Sequence, residues 1–195
     1  MVSDPIVLSF DTSAAHCAAA LLRAGTILHS RVLEMGRGQA EALMPMLEKL
    51  LEQQNLTWTD LDAIGVGTGP GNFTGIRISV SAARGLALAL KIPAIGVSTF
   101  EATRLGSTDE TITAVSAPRD QLYISDPKLG SKPILVSAPY PTDRPIKMAL
   151  PAAQLAENIG HVAVSRIHFP PERPAPLYIR AADAAPSRDA PPTIL

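Results

Sequence analysis

The sequence predicts an α/β domain with a mixed sheet, followed by a loop-rich second half. Two observations carry this. Short apolar runs alternate with helix-period patterns in the order βββαβαβα, the sign of strands and helices sharing one layered unit. Glycine and proline also divide the chain: residues 1–117 hold 11 of the 13 glycines, and residues 118–195 hold 14 of the 18 prolines. Proline fixes φ and lacks an N–H donor, so it suits edges and irregular segments. The proline-bearing tail Ala181–Leu195 reads as weakly ordered.

Each element has its own signal. Ile6–Phe10 is an apolar run that ends in Asp11-Thr12-Ser13. Strands at His16–Arg23 and Thr26–Glu34 follow, joined by the turn Ala24-Gly25. Ala40, Leu43, Met44, Leu47, Leu50 and Leu51 then recur at helical spacing, with Pro45 expected to kink that helix. Leu61–Gly67 is a buried-type strand, Ile76–Leu90 a helix, Pro93–Val97 a strand, and Thr99–Leu105 opens another helix. Weaker strands are read at Ile112–Ala117, Leu122–Ser125 and Ile134–Ser137, with a last helix at Ala152–Asn158.

Composition narrows the function. At 195 residues, 46% hydrophobic and mean hydropathy +0.16, the chain is too apolar for disorder and long enough for a real core. Seventeen Lys+Arg stand against 18 Asp+Glu, the wrong balance for gripping a nucleic-acid backbone alone. The single Cys17 excludes an internal disulfide or a multi-cysteine metal site, and it reads as an inert strand residue. No stretch reads as apolar and long enough to span a bilayer, and the first residues lack a signal peptide's basic region. The expectation is a cytoplasmic protein.

The densest motif is GVGTGPGNFTGIR, with Gly65, Gly67, Gly69, Gly71 and Gly75 within eleven residues. Together with Asn72 and Thr74 it leads into a helix whose free N–H groups would suit an anion. The same pattern also fits a tight strand-to-helix turn packed on its own sheet, and neither GxGxxG nor the P-loop pattern matches. Asp11, Thr12 and Ser13 are open to two readings as well: partners of a phosphate or its metal, or residues bonding their own turn.

Three segments together resemble the bacterial TsaB (YeaZ) family: FDTSAAHCAAALL, RGQAEALMPMLEKLL, and DLDAIGVGTGPGNFTGIRISVSAARGLALALKIPAIGVSTFEA. The GPG-x-FTG-x-R element followed by a small-residue helix is specific to it. Beyond residue 103 the match thins to Ala117, Arg119, Tyr123 and the closing LYIRAADAAP, and the second subdomain looks shortened. The resemblance implies an actin/Hsp70/sugar-kinase-like fold with mixed sheets flanked by helices. It would have an N-terminal subdomain over 1–104 and a reduced C-terminal one over 105–195. Asp11, Thr12, Ser13, Gly69, Gly71, Asn72, Thr74 and Gly75 would correspond to phosphate-loop positions.

The resemblance also implies a role in making threonylcarbamoyladenosine at adenosine 37 of tRNA. In that system a paralogue, TsaD, catalyses the transfer, TsaB is its non-catalytic dimer partner, and TsaE is an ATPase. The expectations are therefore no cofactor of its own, with ATP and metal belonging to the complex, and a homodimer when the paralogue is absent. Contact with tRNA would be indirect, and no membrane would be involved. The residues agree with a non-catalytic role: Thr99 and Thr103 stand where the paralogue carries its metal-binding histidines, and Gln39 where the family usually has a histidine. His16, His29, His161 and His168 form no ligand pattern and read as structural or exposed. The rivals are a nucleotide-dependent ATPase or kinase using Asp11 and the glycine loop, and a metallopeptidase-like (glycoprotease-like) protein.

The helices over about 38–54 and 74–91 are the expected partner face. The second is apolar all round, so it has more apolar surface than packing on one sheet would bury. By periodicity alone this means either a large internal core or a docking surface; the resemblance implies docking. The expected contacts are Met35, Ala42 and Met46, then Arg77, Val80, Ala83, Arg84 and Ala87.

Overall fold

The computed structural model describes residues 4–130, 132–169 and 172–179. Its first sheet has the strand order β3-β2-β1-β4-β5, built from β1 (Ile6–Asp11), β2 (His16–Arg23), β3 (Thr26–Glu34), β4 (Ala63–Gly67) and β5 (Ala94–Val97). The three leading strands form an antiparallel meander, and β4 and β5 add to β1 in parallel. Parallel addition needs crossover helices, and these are α1 (Gln39–Glu52) and α2 (Phe73–Leu90). The first helix runs on through Pro45.

Alternation along β1 and β2 sorts the core into two layers. Leu8, Phe10, Cys17, Ala19 and Leu21 face α1 and α2, together with Leu43, Leu47, Ile76 and Val80. Val7, Ala18, Ala20 and Leu22 face the opposite layer, which is α4 (Ala152–Arg166). The last helix is thus longer than the Ala152–Asn158 expected, and it belongs to the first sheet although it arises late in the chain. Gly160 permits this close docking, because a Cβ there would press on Leu22. The Ser9 hydroxyl donates to the Ala156 carbonyl at 2.7 Å across the same contact.

After α3 (Thr99–Arg104), capped by Ser98 and Glu101, a second sheet forms with the order β8-β7-β6-β9. It comprises β6 (Ile112–Ala117), β7 (Gln121–Ser125), β8 (Ile134–Ser137) and β9 (Ile146–Met148). The three-residue β9 has no counterpart in the sequence reading. The Ala181–Leu195 tail lies outside the described residues.

One expectation needs correction. By length and composition α2 is apolar enough to cross a membrane. It is instead a helix whose inner stripe, Gly75, Ile76, Ser79, Val80 and Ala83, is buried in this domain, and it carries Arg77 and Arg84.

Candidate functional site

The β1–β2 turn and the glycine-rich loop do come together, and they bind one another. The Thr12 hydroxyl donates to the Gly75 carbonyl at 2.7 Å, and the Asn72 N–H donates to the Ser13 carbonyl at 2.6 Å. A Cβ at Gly75 would overlap the Thr12 carbonyl oxygen, and one at Gly71 the Ser13 carbonyl oxygen, so glycine at both sites allows backbone to meet backbone. Asn72 caps α2, its side chain accepting from the Gly75 N–H at 2.9 Å. The space directly above Gly71 and Gly75 is therefore filled by the chain's own carbonyls. Gly69 takes positive φ at the bend, and Thr74 is exposed on the first turn of α2.

Asp11 is fully buried, and its Oδ1 accepts from the Ser13 N–H, the Ser13 hydroxyl and His16 Nε2 at 2.8–2.9 Å. The sequence reading missed the His16 bond. In principle the antiparallel hairpin could have flagged it, since it returns His16 toward the end of β1. Cys17 is buried beside these groups; burial, with a contribution from the Asp11 carboxylate, pushes its thiol up to about 11, which makes it a poor nucleophile at neutral pH.

A cavity of about 610 Å³ opens between this turn and the β6–β7 turn, with Ser13, His16, Gln39, Asn72, Ser116 and Tyr123 among its walls. Thr99 also borders it, whereas Thr103 is buried and its hydroxyl has no hydrogen-bond partner among the described residues. Among the described residues no group of three or more His, Cys, Asp or Glu is placed to hold a metal ion.

The expected partner face divides in two. Met46, Val80 and Ala83 are 3%, 2% and 0% exposed: helical rotation turns them into the chain's own core, so they are not surface contacts. Met35, Ala42 and Ala87 are half-buried at its edge. The outward stripe of α2 is Thr74, Arg77, Ser81, Gly85 and Leu88, with Leu88 82% exposed. Both arginines engage the chain itself. Arg77 Nε donates to the Tyr178 hydroxyl at 3.0 Å while its guanidinium lies 3.8 Å over the Phe73 ring, which Tyr178 stacks on. Arg84 Nε donates to the Pro174 carbonyl at 2.7 Å. Residues 172–179 thus run along one flank of α2, anchored by the Leu177 N–H on the Thr68 carbonyl.

Comparison with known proteins adds the lineage. The family model described as TsaD, tRNA N6-adenosine threonylcarbamoyltransferase, matches residues 33–174. The tRNA threonylcarbamoyladenosine biosynthesis protein TsaB of Escherichia coli (strain K12) is 33% identical over 122 residues. The solved structure of YeaZ from Pseudomonas aeruginosa superposes with a TM-score of 0.70 at 25% identity, over 89% of this chain and 99% of that one. The chain belongs to the TsaB/YeaZ family.

Its mixed sheets flanked by helices are the actin/Hsp70/sugar-kinase-like architecture. The aligned region is 60% of this chain and 52% of the E. coli TsaB, so the chain spans about half the length of the curated TsaB relatives it matches. An uncharacterized protein of Mycobacterium tuberculosis is 31% identical over 178 residues, 90% of this chain and 83% of that protein. In the TsaB/YeaZ frame, the positions resembling a phosphate loop here form a self-bonded turn beside a cavity, and the apolar second helix keeps an open outer face.

Proposed function

We propose that this chain acts in tRNA N6-threonylcarbamoyladenosine biosynthesis as a non-catalytic scaffold that docks on a TsaD-like catalytic paralogue. The observation that carries this reading is the outer face of α2. That helix is apolar by composition, yet Ser81, Gly85 and Leu88 lie open along it, and Gly85 leaves room for close backbone approach. An apolar helix left open on one side is a surface that association buries. Ala42 on α1 and Met35 just before it are half-buried at the edge of the same core and are proposed to join the contact, methionine adapting to a partner's shape. A similar face on a paralogue accounts for a homodimer when the paralogue is absent. A TsaE-like ATPase joins the assembly, the nucleotide and metal chemistry belongs to the complex, and tRNA is contacted indirectly, all in the cytoplasm.

The test is transfer of the threonylcarbamoyl group from its adenylate to tRNA by the paralogue, with and without this chain. The expected result is no transfer by this chain alone and severalfold more by the pair than by the paralogue alone. Transfer by the isolated chain would overturn the non-catalytic assignment, and an unchanged paralogue rate would overturn the scaffold role.

A further inference from the structure

The cavity between the β1–β2 and β6–β7 turns has a chemistry of its own, set by Asp11. One oxygen of that buried carboxylate serves Ser13 and His16; the other, Oδ2, lies against Gly67 and has no hydrogen-bond partner among the described residues. No Lys or Arg stands among the described residues lining the cavity. A phosphate placed there would find no cation, with the buried Asp11 carboxylate behind the His16 wall, the reverse of what stabilises it. Two N–H donors at the start of α2 are also spent, Asn72 on the Ser13 carbonyl and Gly75 on the Asn72 side chain.

The cavity offers acceptors instead. With Nε2 donating to Asp11, a neutral His16 ring keeps its lone pair on Nδ1, and no described residue bonds that nitrogen. Gln39 directs its Nε2 at the Met35 and Ala14 carbonyls, which leaves Oε1 as a second acceptor. Around these groups the walls are largely apolar, with Pro70, Phe73, Val115 and Leu150. The volume, about 610 Å³, sits within the roughly 300–1,000 Å³ of small-molecule sites.

We propose that this cavity binds an uncharged heteroaromatic molecule that donates a hydrogen bond to His16 Nδ1, and that phosphate is not part of what it recognises. Asp11 is the positioning residue: it fixes the ring orientation and the tautomer that exposes an acceptor. The apolar walls take the faces of the ligand's ring, and Gln39 Oε1 receives a second donor at the rim. The site does not depend on the outer face of α2, so it stands or falls separately from docking.

Adenosine, AMP and ATP share one ring and differ in phosphate, so they are the probes. Each is titrated into the full-length ¹⁵N-labelled chain while the His16 ring nitrogens are followed by NMR. The expected result is a saturable shift at Nδ1 with adenosine and binding at least about tenfold weaker for ATP. Because His16→Ala would strip Asp11 of a partner and endanger the fold, Gln39→Ala at the rim is the companion variant. It should weaken adenosine severalfold while lowering the thermal midpoint only slightly, because the two bonds it removes, to the Met35 and Ala14 carbonyls, are long at 3.3 and 3.5 Å. ATP binding as tightly as adenosine would overturn the proposal in favour of a phosphate site. No shift at His16 from any of the three at millimolar concentration would overturn the cavity as a site for this ligand class.

Discussion

Replacing Gly85 by alanine separates an open helix face from a covered one. Gly85 is exposed in the interior of α2, and a Cβ built on it meets nothing within 4 Å. In the isolated chain the substitution therefore adds no clash and removes only the conformational cost of glycine in a helix, a gain of roughly 0.5–1 kcal/mol. That is about two- to fivefold in the folding constant. Urea unfolding followed by fluorescence of Trp58 reads it, since the single tryptophan packs on the same core as the inner stripe of α2. The midpoint should rise at unchanged slope, and repeating the curve at several protein concentrations separates folding from self-association. If α2 docks on the paralogue as proposed, the same methyl should weaken association, because it would stand where two helices approach. A Gly85→Ala chain that is less stable, with a concentration-independent midpoint, would mean that this face is covered within the chain, and the docking argument would fail.

Two other predictions bear on the architecture behind the site. Gly75→Ala should destabilise the chain by about 1–3 kcal/mol in the same unfolding assay, because its methyl would meet the Thr12 backbone rather than a side chain that can swing away; a neutral substitution would contradict the self-bonded turn. For Glu101, burial pushes the carboxyl up, but the Ser98 N–H and hydroxyl and the Arg166 guanidinium outweigh it and hold the value below the ordinary one. A carboxyl depressed by folding contributes stability that is complete above its unfolded value of about 4.3 and is lost as pH falls through the folded value. Glu101→Gln should therefore flatten the acid side of the stability–pH profile, and an unchanged slope there would show that the carboxylate contributes nothing.

The first half of the fold was legible because its signals are local. β2 and β3 match the expected His16–Arg23 and Thr26–Glu34 residue for residue, since alternating or continuous apolar runs end at clear turns. The failures have a physical cause in long-range packing. α4 continues past Asn158 because Gly160, a helix breaker by propensity, is the residue that allows contact with Leu22. β9 is three residues long among prolines and exists through its pairing with β6. At the partner face, sequence periodicity shows that α2 is apolar all round but not which side faces the sheet, so Val80 and Ala83, and Met46 on α1, are expected outward and point in. The sequence offers Arg77 and Arg84 as partner contacts because their acceptors within the chain, Tyr178 and Pro174, lie about a hundred residues away. The sequence leaves His16 as structural or exposed, and its bond to Asp11 is not legible because it depends on a hairpin return, not on a spacing that any motif encodes.

Mass measurement by light scattering after size-exclusion chromatography, on this chain alone and mixed with its TsaD-like paralogue, tests the central claim most directly. Leu88→Arg is the blocking variant, because Leu88 is 82% exposed and its loss leaves the core intact, whereas an arginine at the fully buried Ala83 would only unfold the chain. The account predicts a one-to-one heteromer with the wild-type chain and separate species with Leu88→Arg. A mixture that never associates, or a heteromer indifferent to Leu88→Arg, would contradict it.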